Sequence, residues 1–212
     1  MPIATAVITE ASIEPVTLAE AILWSKGNIG FEDSLFDALI STATNQVESI
    51  IQHRLITHTS EMYYDSWPRD RCFSLWFPPT VTVNSLKYYD VDGTLQTWAS
   101  SNYWVINNSK HNGYIKIKPS ASVPTLENGR PQAIVINYDN GYGAAASSVP
   151  EDFKTAIKMF VTDLYDARKM HLADVKLTEN PTAMQVLGCF AIAEVESVSL
   201  AQFTNVSGGY VY

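Results

Sequence analysis

Residues 132–157 read QAIVINYDNGYGAAASSVPEDFKTAI, and the fold turns on what changes inside that stretch. Its opening, with Ile134, Val135, Ile136 and Tyr138, has the β-branched and aromatic content of a strand, expected over 132–138. Asn140-Gly141-Tyr142-Gly143 breaks that pattern, and small residues then run to Ser148. Beyond the break the spacing becomes helical. Phe153, Ala156, Ile157, Phe160, Val161, Leu164 and Tyr165 fall on one face, with Lys154, Lys158, Asp166 and Lys169 on the other. Ser148 is expected to cap this helix, with Pro150 in its first turn and Glu151 completing a capping box.

Upstream of the switch the chain reads as short strands. Thr57 to Tyr64, the alternating Phe73, Leu75 and Phe77, and Val81 to Tyr89 favour extended structure. Asp92-Gly93 predicts a hairpin into 95–98, with further strands at 103–106 and 114–118. Connections this short suit hairpins, so a small antiparallel sheet is expected. Before it lie two helices. Thr17 and Glu20 have capping-box spacing at the start of a short helix ending near Gly27. Glu32 and Asp33 open a second one, whose stripe of Leu35, Phe36, Leu39, Ile40, Ala43, Val47, Ile50 and Ile51 runs to about His53–Arg54. After Met170 periodicity weakens. Asn180-Pro181 predicts a brief helix over Met184 and Leu187, stopping at Gly188.

Composition limits the function classes. The chain has 212 residues, 46% apolar, 11% aromatic and 17% charged, with a net charge of −8. Its aromatic and apolar content excludes a disordered chain, and its sign excludes a protein that grips nucleic acid over its whole surface. Two cysteines, Cys72 and Cys189, make no disulfide scaffold. The charge is uneven: residues 1–53 carry seven acids and one base, whereas 54–148 carry seven acids and eight bases along with 14 of the 24 aromatics. So little charge on a folded chain suggests a surface that largely meets protein. The N-terminus lacks the basic region of a secretory signal, and no window has 18 uninterrupted apolar residues, so a cytoplasmic chain with no membrane contact is expected. The N-x-S triplets at Asn107 and Asn205 are then read as chance.

Chemistry-bearing motifs are missing. No P-loop, dinucleotide fingerprint, H-E-x-x-H or G-x-S-x-G occurs, so no cofactor, metal or catalytic residue is assigned and an enzyme is not expected. His53, His58, His111 and His171 lack ligand spacing, and His53 reads as a favourable charge at a helix C-terminus. Cys72 reads as a buried apolar residue, and Cys189 has no neighbouring base to activate it. Asp90-Val91-Asp92-Gly93 starts like a calcium loop, but the twelfth position, Ser101, is not an acid, and a turn suffices. Trp67, Trp76, Trp98 and Trp104 are candidates for a subunit interface within the β-region, or for stacking on a sugar or base. The aperiodic apolar residues Met184, Val186, Leu187, Phe190, Phe203, Tyr210 and Tyr212 suggest a segment that binds a partner or a neighbouring subunit.

One resemblance orders these pieces. Pro15-Val16-Thr17-Leu18-Ala19-Glu20-Ala21 resembles the opening of a family of tailed-bacteriophage head–tail connector proteins, also called adaptor or head completion proteins. Val47-Glu48 with Arg54, Pro78-Pro79 followed by Val81, Val83 and Tyr88 to Gly93, Tyr103-Trp104-Val105, Val135 to Gly143, and Val149-Pro150 before Ala156-Ile157, Tyr165 and Arg168 follow in the family's order. The resemblance covers about residues 15–170; residues 22–31 lack the charged pattern typical after the first helix. It implies an α+β fold: a small α-helical bundle with an inserted antiparallel β-domain and an extended C-terminal arm. The implied boundaries are 1–55 for the N-terminal segment and first bundle helices, 56–148 for the insertion, 149–170 for the completing helix and 171–212 for the arm. It further implies a homo-oligomeric ring, usually twelvefold, in the virion neck. Its partners would be the portal protein and a tail or neck protein, with DNA passing through without sequence-specific binding. A tail-completion or terminator protein, or an aromatic-rich carbohydrate-binding module, is the alternative.

Overall fold

Thr17 opens the first helix as its spacing predicts. In the computed structural model, which describes residues 4–27, 30–107, 112–167 and 181–188, Thr17 Oγ1 accepts the Glu20 amide at 3.3 Å. The Glu20 carboxylate accepts the Thr17 amide at 2.8 Å. The Thr17 amide, and the Thr17 hydroxyl donating to the same carboxylate at 2.7 Å, favour the charged form and hold the Glu20 carboxyl below its ordinary pKa. Helix α1 (Leu18–Ser25) ends at Lys26, which takes a left-handed conformation.

Helices α2 (Asp33–Ile51) and α3 (Glu151–Ala167) turn their apolar stripes toward one core. Phe36, Ile40, Ala43, Val47 and Ile51 meet Phe153, Ala156, Ile157, Val161 and Tyr165, with Ala21 and Ile22 of α1 completing the layer. Phe36 stacks on Tyr165 at 4.8 Å, and the Tyr165 hydroxyl donates to Glu32 at 2.6 Å. Helix α4 (Pro181–Gly188) packs on α2 and α3 and sends Leu187 into the same core. The start of α3 differs from expectation. Residues Ala146–Ser148 close a 3-10 turn, which removes Ser148 from the cap position. Pro150 provides the first carbonyl instead, accepting from Phe153 and Lys154, and Glu151 pairs with Lys154 Nζ at 2.7 Å.

Between α2 and α3 lie strands β2 (His58–Tyr64), β3 (Cys72–Leu75), β4 (Thr80–Tyr89), β5 (Leu95–Trp98), β6 (Tyr103–Ile106), β7 (Gly113–Ile117) and β8 (Ile134–Asn140). Before α1 lies β1 (Ala4–Thr9), which no sequence pattern announced. All pairings are antiparallel, but the single sheet anticipated is two. The first has order β1-β2-β8-β4-β5 and the second β3-β7-β6. Inward-facing residues of both sheets form a second core of Met62, Tyr64, Leu86, Ile134, Ile136 and Tyr138 with Phe73, Leu75, Ile115 and Ile117. The β4–β5 turn is hairpin-like, but only Gly93 takes a positive φ, of 75°. Asp90 Oδ1 accepts the amides of Asp92 and Thr94, so the turn is built around an aspartate cap rather than two left-handed residues.

Candidate assembly surfaces

The two cores meet at a joint of residues 48–58, 76–80 and 140–143. Glu48 is buried at the end of α2. Its Oε2 accepts Arg54 Nη1 at 2.6 Å and its Oε1 accepts the Leu55 amide at 2.7 Å. The Arg54 guanidinium lies 4.8 Å from the centroid of the Phe77 ring, and its amide donates to Pro78 O. On the other side, Asn140 Nδ2 donates to Phe77 O and Ser60 Oγ donates to Asn140 Oδ1. The Gly141 amide donates to Pro79 O and the Tyr142 amide to Leu55 O. Gly141 has φ 128°, and a Cβ there would collide with the carbonyl of Ile56. Helix end, sheet and connecting loops thus share one hydrogen-bonded network, which fixes the β-domain against the bundle.

His53 belongs to this joint: it stands at the C-terminus of α2 as expected, and it is buried, which was not expected. Gln52 ends α2 in a left-handed conformation, and the chain turns His53 inward, where it is buried. Its Nδ1 donates to Ile51 O at 2.7 Å, and its ring lies near Tyr142 and Phe153. Cys72 differs too. On β3, Phe73 and Leu75 point inward, so Cys72 faces outward and is only half-buried, with its thiol pKa pushed up by desolvation and Asp70.

The four tryptophans of interest divide. Trp98 is buried, 4.8 Å from Trp67, and Trp67 also meets Phe73 and Tyr88 while its Nε1 donates to Pro124 O. Trp76 is partly buried, its carbonyl accepting the Tyr138 hydroxyl at 2.9 Å. Trp104, on edge strand β6, is 50% exposed with Lys118 Nζ 5.6 Å from its ring centroid. The structure therefore brings Trp67 and Trp98 together as core and leaves Trp104 at the surface. Burial raises the hydroxyl pKa of Tyr64 and Tyr138, and burial with Glu61 beside it pushes Tyr63 up to about 12.

Of the C-terminal candidates, Leu187 is buried in the chain's own bundle, whereas Met184 and Val186 are half-exposed. Phe190, Phe203, Tyr210 and Tyr212 lie outside the described residues, as do His111, His171, Cys189 and Asn205. Met184 closes one side of an open groove with a cavity volume of about 600 Å³, lined also by Thr42, Asn45, Gln46, Ser49 and Ile50 of α2 and Phe160 of α3.

Sequence reading passed over a second apolar feature, the corner between α1 and α2. Leu23 at the end of α1 is 80% exposed and Phe31 before α2 is 87% exposed; Trp24 is 46% exposed, with Lys158 Nζ 5.0 Å from its ring centroid. The signal was present: residues 22–31 depart from the charged pattern, and Leu23 and Phe31 lie off the buried stripes. Edge strand β1 adds exposed Ile8. Among the described residues no group of three or more His, Cys, Asp or Glu is placed to hold a metal ion. Among them, also, no helix is long and apolar enough to cross a membrane.

No family model matches the sequence, and no curated protein matches it. The structure does match solved ones. The chain is similar to a chain in the virion of a native gene transfer agent particle, with a TM-score of 0.74 and 18% identity, covering 91% of this chain and 97% of that one. It is similar also to a chain in the neck of an empty gene transfer agent particle computed with C6 symmetry, at TM-score 0.73 and 18% identity, with the same coverage of 91% and 97%. A third match, at TM-score 0.70 and 17% identity over 91% and 97%, is to a chain in the neck of the native particle computed with C12 symmetry. The shared property is the fold, over nearly the whole of both chains.

Proposed function

We propose that this chain is a structural adaptor in the neck of a tailed-phage-like particle. Copies form a ring beneath the portal, of twelve members or of six, that extends the DNA channel and offers the tail its platform. The protein is made in the host cytoplasm and resides in the virion. The observation that carries this proposal is the likeness to chains of particle necks, which spans bundle and β-domain together and covers 97% of those chains. Three features support it. The joint around Glu48 and Asn140 ties the two layers together by hydrogen bonds, as a load-transmitting part requires. Exposed apolar residues at the α1–α2 corner and the α2–α4 groove offer subunit contacts. A net charge of −8 disfavours adhesion to DNA in transit. The test is electron cryomicroscopy of particles from hosts expressing the chain or lacking it. Ring density under the portal in the first and tailless heads in the second are expected. Normal tailed particles without the chain would refute the proposal.

A further inference from the structure

The five-stranded sheet has two free edges. Its order is β1-β2-β8-β4-β5, and among the described residues no strand lies beyond β1 or β5. Every second residue of an edge strand turns its N–H and C=O away from its partner, so each edge offers a row of unpaired donors and acceptors. Free edges are ordinarily guarded by charged side chains or proline. Neither guard is present here: β1 reads ATAVIT and β5 reads LQTW. Apolar Val7, Ile8 and Leu95 are exposed on them instead. Residues 7–9 and 95–97 are exposed in succession, as in strands open on one side.

We infer that β5 of one copy pairs with β1 of the next, so that the sheet runs on from copy to copy. This rests on the ring proposal and specifies its contact. Direction, length and charge agree. All four pairings in the sheet are antiparallel, so β1, β8 and β5, the first, third and fifth strands of the order, run the same way. A copy rotated about an axis along the strands therefore sets its β1 parallel to β5, with the core-facing side of each sheet turned the same way. Two different edges make a head-to-tail contact, which closes as a ring when the rotation allows. Within one copy the edges stand four strand spacings apart, about 19 Å, so they do not meet each other. β5 has four residues, and β1 pairs regularly over residues 4–7 before the irregularity between Val7 and Thr9, so the regular lengths match. Near β1 the charges are Glu61 opposite Ala6, Asp65 beyond the end of β2, and Glu10 after the C-terminal end of β1. Near β5 they are Lys87 opposite Thr97, and Asp90, Asp92 and the Glu127–Arg130 pair about the turn before it. Parallel pairing brings Glu10 toward the far end of β5, where Lys118 Nζ donates to Ser101 O. It sets the acidic turn toward the N-terminal end of β1, with Asp65 two strand spacings, about 10 Å, from β5, a distance at which salt screens the repulsion.

Hydrogen exchange of the full-length chain tests this. Where light scattering detects multimers, with or without portal rings, the amides of residues 4–7 and of Leu95–Trp98 are expected to gain protection together, relative to the dilute monomer. Multimers in which both stretches exchange as in the monomer would overturn the strand pairing and leave the ring standing. Protection of one stretch alone would overturn the pairing too, as when β1 pairs with itself about a two-fold axis and assembly stops at a dimer. Protection already complete in the monomer would show both edges covered within one copy, and would also overturn it. A chain monomeric throughout, alone and with portal, would overturn both pairing and ring. Two variants at exposed sites, Val7→Lys and Leu95→Lys, read the contact independently. Each alone should leave the thermal melt unchanged and weaken association roughly tenfold or more, since lysine guards an edge. Mixed, they should form a heterodimer and nothing larger, through the intact β1 of the Leu95→Lys chain and the intact β5 of the Val7→Lys chain. Unchanged association of the single variants, or a mixture that stays monomeric, would overturn the pairing.

Discussion

The Glu48 clamp offers the sharpest stability prediction. Substituting Glu48→Ala removes both acceptors at once. It strands the amide of the buried residue Leu55 and leaves Arg54, 22% exposed in its side chain, without its counter-ion. A stranded buried amide costs about 1–3 kcal/mol. Breaking a fully buried ion pair costs about 3–5 kcal/mol, and the partial solvation of Arg54 reduces that share. The expected total is about 3 kcal/mol, or a fall in Tm of roughly 6–12 °C for a chain of this length. Glu48→Gln keeps a carbonyl for the Leu55 amide and loses only the charge, so it should cost about half as much. Urea denaturation of the three proteins, followed by circular dichroism and by tryptophan fluorescence, measures this. Four of the five tryptophans lie between β2 and β7, so fluorescence reports mainly the β-layer, and circular dichroism reports the helices. A loss below about 0.5 kcal/mol in Glu48→Ala, or equal losses in Ala and Gln variants, would refute the clamp as the joint's fastening.

Four other outcomes follow from the same geometry. Gly141→Ala should destabilise by about 2–4 kcal/mol, because its φ and the Ile56 carbonyl both exclude a Cβ, and thermal melts will show it. Phe36→Ala should cost about 3–5 kcal/mol of folding stability, whereas Phe31→Ala should change it by less than about 0.5 kcal/mol and act only on assembly. The Glu20 carboxyl is depressed in the folded chain, so its contribution is present above the ordinary value of 4.5 and is lost as pH falls below it. The stability gap between wild type and Glu20→Gln should therefore narrow between about pH 5 and pH 3 in urea titrations. Tyr64 and Tyr138 are raised, so their contribution holds below the ordinary value of 10.0 and is lost above it; Tyr138→Phe should move the alkaline unfolding midpoint upward, as tyrosinate absorbance will report.

How far the fold could be read depended on how local its causes are. The Thr17–Glu20 box, the stripe from Phe36 to Ile51 and the turn at Asp90–Gly93 are written within a few residues of one another, and each appeared where expected. β1 did not, because Ala4–Thr9 becomes a strand only by pairing with residues 59–63, across both bundle helices. The burial of His53 at the end of α2 was not legible for the same reason: it depends on Tyr142 and Phe153, far along the chain. The division of the strands into two sheets likewise follows from long-range pairing, since β2 binds β8 while β3 binds β7. At the surface, Trp104 emerged as exposed but Trp98 did not, and composition cannot separate an aromatic core from an aromatic interface. The exposed residues Leu23 and Phe31 were visible only as part of a stretch, 22–31, that departs from the charged pattern, because exposure depends on how α1 and α2 pack on the core rather than on residue type.

The central claim is assembly, and mass tests it directly. Native mass spectrometry of the full-length chain, alone and mixed with purified portal rings, should show one closed species. With a chain of 23.5 kDa that species weighs about 140 kDa for six copies or about 280 kDa for twelve. A lone 23.5 kDa monomer at every concentration, with and without portal, would contradict it.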